Sequence, residues 1–310
     1  MRWVKVERRH DPLYTIFPMR RRELLFGSAM MAGGRGRTAG RTADRSKLDR
    51  IAIMTLCFNS VIKSAAHPND PARTLDILDV PQMIADRYGV HWVELWHSHL
   101  PSTEPAYLKE FRARLQKARS RSNQIDLEFG PLNISSPDPV LRVETIDLTK
   151  RWIEISAALG CPRVMVNQGT LAPEVRQSAI AALKNIGEYG KSRKVAVTME
   201  NRGGSTAPVR VSWSVVVDVI KAAGIYANPD IGNFPDDDAR AAGLRAMYPL
   251  SSGSSHCHYN PERYDEAKAI QISKELGYKG LYSIEANSAL NGPDPYKAVE
   301  TILAELLKDI

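Results

Sequence analysis

From Arg50 onward, short runs rich in β-branched and apolar residues alternate eight times with longer stretches whose apolar residues recur every three or four positions. Strand first and helix second is the order of βα units, in which each helix packs back onto a parallel sheet. The strand candidates are Ile51–Cys57, His91–Trp96, Ile125–Phe129, Arg163–Asn167, Lys194–Glu200, Gly224–Asp230, Ser254–His258 and Gly280–Glu285. The helix candidates are Val80–Tyr88, Glu104–Ser120, Pro139–Leu159, Pro173–Gly187, Ser212–Ala223, Asp237–Met247, Glu262–Leu276 and Pro295–Leu307. Ser136 and Asp138 stand before Pro139, and Asp294 before Pro295, as helix-start chemistry requires. Gly160, Gly187 and Gly277 fall where helices are expected to stop. Eight such units make a single (β/α)₈ TIM barrel the expected fold. An open doubly wound sheet is the runner-up, but no Gly-rich phosphate loop follows Cys57.

The 310 residues hold one barrel of about 250 residues plus an amino-terminal extension, taken as 1–47, with the barrel at 48–310. That extension accounts for the basic balance of the chain. Residues 1–50 carry 13 Lys/Arg against 5 Asp/Glu, a surplus of 8, so the formal charge of +7 leaves the remaining residues at −1. A folded body without a basic surplus gives no reason to expect a nucleic-acid partner. Within the extension, Arg20-Arg21-Arg22-Glu23-Leu24-Leu25-Phe26 precedes the small and apolar Gly27–Ala32, a pattern similar to a twin-arginine export signal. Export to the periplasm is therefore expected, with a Gly/Arg/Thr/Ala linker from Gly33 to Lys47 and no stable membrane anchor. Cys57, Cys161 and Cys257 form no C-x-x-C pair and read as buried core thiols.

The chemistry is concentrated at the carboxyl ends of the last four strands. Glu200 closes Val-Ala-Val-Thr-Met-Glu, Asp230 closes Tyr-Ala-Asn-Pro-Asp, and His258 and Glu285 close the next two. Their spacing is about one βα unit each, so one polar group comes from each successive strand. In a closed barrel those ends lie side by side on the face where active sites of this architecture are built. Alternation along the strands agrees, placing Ala196, Thr198 and Glu200 inward and Val195, Val197 and Met199 toward the helices, with Ser283 and Glu285 sharing a face opposite Tyr282 and Ile284. Three carboxylates in a partly buried mouth repel one another unless a cation relieves them. Glu200, Asp230, His258 and Glu285 are accordingly read as ligands of one divalent metal ion; Mn²⁺, Mg²⁺ or Co²⁺ suit the oxygen-rich set best, and Zn²⁺ is compatible.

His256 and His258 are two residues apart and point to the same side of their strand. His258, nearer the strand end, is the expected ligand. His256 is expected one layer deeper, orienting it or touching substrate. Further expected substrate contacts are Arg263 and Asn233, the rim histidines His97 and His99, and Trp96 as an apolar wall.

With those residues in view, the chain from about Leu48 to Ile310 resembles the sugar phosphate isomerase/epimerase superfamily with the xylose isomerase-like barrel. The resemblance is carried by Val93-Glu94-Leu95-Trp96, Thr198-Met199-Glu200-Asn201, Pro229-Asp230-Ile231-Gly232-Asn233, His256-Cys257-His258 and Ser283-Ile284-Glu285, in that order. It implies that Glu200, Asp230, His258 and Glu285 hold the metal and that Glu200 and Glu285 also move protons on opposite faces of a sugar through an enediolate. Two departures bear on the substrate. Asn233 stands where many relatives have histidine, and His258-Tyr259-Asn260 lacks the lysine of a His-x-Lys-Asp motif, which speaks against a phosphorylated sugar. The multi-metal repair enzymes of the superfamily need extra histidines on earlier strands, whereas these end in Glu128-Phe129 and Val166-Asn167, pointing to a single metal.

The function expected is therefore a carbohydrate isomerase or epimerase with a small-molecule, sugar-like hydroxycarbonyl substrate. A lyase or dehydratase using the same proton abstraction is the runner-up, and a non-catalytic carbohydrate-binding barrel is the third reading. A homo-oligomer is compatible with the sequence.

Overall fold

A computed structural model of the chain describes residues 45–202 and 212–310. The arginine-rich segment read as an export signal lies outside the described residues. Among those described, eight strands alternate with eight principal helices. The strands are β1 Ile51–Met54, β2 Trp92–Trp96, β3 Arg121–Leu127, β4 Arg163–Val166, β5 Ala196–Glu200, β6 Tyr226–Asn228, β7 Ser254–Cys257 and β8 Leu281–Ile284. The helices are α1 Val80–Tyr88, α2 Pro105–Lys117, α3 Pro139–Leu159, α4 Arg176–Ser192, α5 Trp213–Ala223, α6 Asp237–Met247, α7 Glu266–Glu275 and α8 Pro295–Asp309. A helical turn, Arg45–Leu48, leads into β1. The sheet runs β6-β5-β4-β3-β2-β1-β8-β7, and the two end strands meet through bridges at Ala227–Ser251 and Asp230–His256. The result is a nearly closed (β/α)₈ TIM barrel.

Side chains alternate as a barrel requires. Outward-facing Val197, Met199, Tyr282 and Ile284 are buried under the helices, and Tyr282 Oη lies 2.5 Å from Ser273 Oγ on α7. Inward, Thr198 donates to Gln124 Oε1 across the interior at 2.9 Å. Helix starts follow the capping residues: Asp138 accepts the Val140 N–H at 2.8 Å, and Asp294 accepts those of Tyr296 and Lys297. Gly160 caps α3 at φ 71°, a left-handed conformation costly for any residue with a Cβ.

Two expectations are corrected. Strand β3 begins at Arg121 rather than Ile125, because the polar run Ser122-Asn123-Gln124 is buried and the amides of Asn123 and Gln124 both find a buried partner in Glu94. Gly187 does not end a helix; it lies inside α4, where a Cβ would come within 2.7 Å of Ile225 Cγ2. It is a close-approach glycine, and α4 continues to Ser192. Among the described residues no helix is long and apolar enough to cross a membrane, and all three cysteines are free and buried.

Candidate metal centre

Strand ends β5 to β8 and the turns beyond them bring Glu200, Asp230, His256 and Glu285 together, with one donor atom of each within 4.8 Å of all the others. Ligands about 2.1 Å from an ion sit at most about 4.2 Å apart, so small side-chain adjustments would close this set on a divalent cation. The closing seam of the barrel supplies the proximity. The His256 N–H donates to the Pro229 carbonyl at 2.8 Å and Ile231 N–H to the His256 carbonyl at 3.2 Å, setting Asp230 and His256 side by side.

That register decides which histidine joins the set. Strands in a barrel are staggered, so level positions cannot be found by counting from each strand end. His256 Nδ1 lies 2.8 Å from Glu200 Oε1 and 3.0 Å from Glu285 Oε2. His258 is also present, but beside Asp230, its Nε2 2.8 Å from Asp230 Oδ2 and 3.6 Å from Glu285 Oε2. Asp230 is held on its other sides by Gly232 N–H to Oδ1 at 2.7 Å and by Asn233 Nδ2 to Oδ2 at 2.8 Å. Asn233 thus orients a carboxylate.

The remaining expected residues are distributed around the rim. His97 accepts the Glu128 N–H through Nδ1 at 3.2 Å, with its ring edge-on to Phe129 and Trp152. Burial lowers its pKa to about 4, so it is neutral. His99 is buried between Thr55 Oγ1 and Asn59 Oδ1 and packs edge-on against Trp96. Arg263 is exposed, donating to the Phe234 carbonyl at 3.3 Å, and is not drawn into the four-residue set.

Two groups escaped the sequence reading. Glu94, fully buried on β2, accepts from His256 Nε2 at 2.7 Å. Arg202, two residues past Glu200, donates through Nε to Glu200 Oε2 at 3.0 Å, pairs with Glu128, and lies 3.7 Å from Asp126 Oδ1. The signal for Glu94 was available: a carboxylate inside the apolar run Val-Glu-Leu-Trp must be paired when buried. Arg202 carries no comparable periodic signal.

Electrostatics shows how the buried carboxylates are compensated. Burial alone would raise Glu200, but His256 and Arg202 outweigh it and hold the carboxyl below its usual range. Burial at Glu285 is likewise outweighed, by His258 and His256. Asp230 is pushed up to about 6 by burial despite His258. Burial works against charge on His256, yet Glu94 and Glu200 drive its pKa well up. The three carboxylates therefore lean on imidazoles for compensation. One nitrogen and three carboxylate donors in this geometry fit a divalent metal ion, which would supply that charge directly.

Glu285 also lines a cavity of 320 Å³ bounded by Asn59, Ser60, Arg73 and Asn287, a size at the lower end for small-molecule pockets. A groove of 670 Å³ lies elsewhere, among Arg240, Lys268, Ile272 and Asp309 on helices α6 to α8, and contains none of the converging donors.

Comparison with known proteins agrees with the fold. The sequence profile described as xylose isomerase-like TIM barrel matches residues 84–306. No curated protein matches the chain. Among solved structures, D-allulose 3-epimerase from Methylomonas sp. is 15% identical with a TM-score of 0.65, covering 84% of this chain and 98% of that one. D-psicose 3-epimerase from Clostridium cellulolyticum H10, solved with D-tagatose, is 12% identical with a TM-score of 0.66, covering 84% and 99%. A protein of Sinorhizobium meliloti 1021 is 14% identical with a TM-score of 0.66, covering 84% and 98%. At these identities the likeness is one of fold.

Proposed function

The chain belongs to the xylose isomerase-like TIM barrel family, and from that premise we propose that it is a metal-dependent isomerase or epimerase acting on a sugar-like hydroxycarbonyl compound. The observation that carries the reading is the approach of two carboxylates, Glu200 and Glu285, to the same His256 Nδ1 from strands β5 and β8, at 2.8 and 3.0 Å. Two carboxylates flanking one small volume can take a proton from one face of a substrate carbon and return it to the other. The sugar 3-epimerases of similar fold lend the reading support as to reaction class.

A divalent ion held by Glu200, Asp230, His256 and Glu285 would act as a Lewis acid, acidifying the C–H next to a bound carbonyl. Mn²⁺, Mg²⁺ or Co²⁺ suits this oxygen-rich set. The protein's own groups do the rest. Glu200 receives the substrate proton, leaving an enediolate, and Glu285, lining the 320 Å³ cavity, returns a solvent-derived proton to the opposite face. Arg202 keeps Glu200 ionised through its 3.0 Å contact, and Asn233 with the Gly232 N–H holds Asp230 in place. Asn59 and Ser60 offer hydrogen bonds to substrate hydroxyls at the cavity wall.

Turnover of a panel of keto sugars in D₂O tests the proposal, together with metal analysis of the purified chain. Solvent deuterium in an intact isomer, a stoichiometric divalent ion, and loss of both in Glu200→Gln and Asp230→Asn are expected. Loss of water or aglycone from the substrate would make the enzyme a lyase instead. A metal-free protein whose ligand profile is the same in both variants would rule out either chemistry.

A further inference from the structure

Beneath the four converging donors, a set of fully buried polar side chains has no part in the reaction just described. Glu94 of β2 accepts from Asn123 Nδ2 at 2.8 Å through Oε2, and from Gln124 Nε2 at 2.9 Å and His256 Nε2 at 2.7 Å through Oε1. The amides are themselves fixed. Arg163 Nη1 donates to Asn123 Oδ1 at 3.1 Å, and since a guanidinium only donates, the Asn123 NH₂ must face Glu94. Gln124 Oε1 accepts from Thr198 Oγ1 at 2.9 Å, which turns its NH₂ the same way. Asn123 Nδ2 also reaches Ser254 Oγ at 2.9 Å. Strands β2, β3, β4, β5 and β7 thus converge on one carboxylate, with Glu94, Asn123, Gln124 and His256 all fully buried.

The donor directions fix one end of the imidazole. Glu94 also accepts from two amides, so His256 Nε2 donates its proton to it, and Nδ1 is the nitrogen facing Glu200 and Glu285, where an ion would displace the ring's other proton. We propose that Glu94 is a positioning residue for the metal centre: it fixes the Nε2–H tautomer of His256 and aims Nδ1 into the donor set. A carboxylate behind a metal-ligating histidine sets ring orientation and strengthens the ligand, and its loss typically costs 10–100-fold in metal affinity. His258 turns its Nε2 to Asp230 instead, at 2.8 Å. This inference rests on the metal-dependent reading above.

Titration calorimetry of Mn²⁺ into the full chain and its Glu94→Gln and Glu94→Ala variants tests it, with thermal melting of each in EDTA to show that it is folded. Wild type is expected to bind one ion. Glu94→Gln, which keeps an acceptor but loses the charge, should bind about tenfold more weakly, and Glu94→Ala nearer a hundredfold. A second readout is the long-range ¹H–¹⁵N spectrum of the Mg²⁺ form, where His256 Nε2 should carry the proton in wild type and lose that preference in Glu94→Ala. Wild-type affinity in folded variants, or Nε2 found as the ligating nitrogen, would overturn the role of Glu94 while leaving the metal reading intact. A wild-type chain that binds no ion would overturn the metal reading and this inference with it.

Discussion

Glu200 and its neighbours show how far single residues could be read in advance. Glu200, Asp230 and Glu285 were legible because each closes a strand at βα spacing, and the structure brings them within 4.8 Å of one another. The histidine was not, since His256 on β7 and His258 just past its end are two residues apart and only the seam register with Asp230 separates them. Arg202 was invisible for a different reason: it lies in a loop, and its role depends on Asp126 and Glu128 from a distant strand. Burial pushes both carboxyls up, Asp126 the further, and Arg202 opposes the rise. Arg202→Gln leaves Asp126, Glu128 and Glu200 without their shared cation. Removing one partner of a buried pair costs several kcal/mol, and the 31% exposure of the Arg202 side chain reduces that figure. A loss of about 1–3 kcal/mol in urea unfolding is expected, and a variant as stable as wild type would show that the trio needs no counter-charge.

At the scale of elements, α1, α3 and α6 begin and end where the apolar spacing placed them, because caps and periodicity agree there. Helix α4 ran past its predicted end, since a glycine can serve either as a stop or as a close approach, and only the packing of Ile225 distinguishes the two. Gly187→Ala gains about 1 kcal/mol in helix propensity but must move Ile225, and overpacking of this kind costs about 1–3 kcal/mol. Net destabilisation is expected, recovered in the Ile225→Ala background. Gly190→Ala meets the Val195 carbonyl at 2.6 Å and should gain nothing from that background. Additive behaviour of Gly187→Ala and Ile225→Ala would refute the contact.

The first turn of α7 holds a second test. Glu266, 6% exposed and with neither carboxylate oxygen hydrogen-bonded, has its pKa pushed up to about 8 by burial and by Asp309 and Glu305, against His258 and Lys308. The folded chain then holds this proton where the unfolded chain, near 4.5, has lost it. Stability therefore falls as pH rises from about 4.5 to about 8 and levels off above. Glu266→Gln should remove that slope and raise the melting temperature at pH 8 while changing little at pH 4. Parallel pH profiles for the two proteins would contradict the assignment.

For the whole molecule, the eightfold alternation made the barrel readable, but nothing local in the sequence shows where it closes. The seam between β6 and β7 has two single bridges in place of a ladder, and the donor set lies directly on it, with Asp230 on one side and His256 on the other. An ion bound there would tie together strands that the backbone joins sparingly. Because such a site needs the folded barrel, an ion at about 100 times its Kd adds about 2.7 kcal/mol. In a domain of this size that corresponds to a rise of roughly 5–10 °C in Tm. The gain should vanish in Asp230→Asn. Hydrogen exchange adds location: slowing on addition of Mn²⁺ should concentrate at the Ile231 and His256 amides, whose bonds cross the seam at 3.2 and 2.8 Å. An equal Tm rise in Asp230→Asn, or protection spread evenly over all eight strands, would mean that the ion binds elsewhere and that the closing seam is not the metal centre.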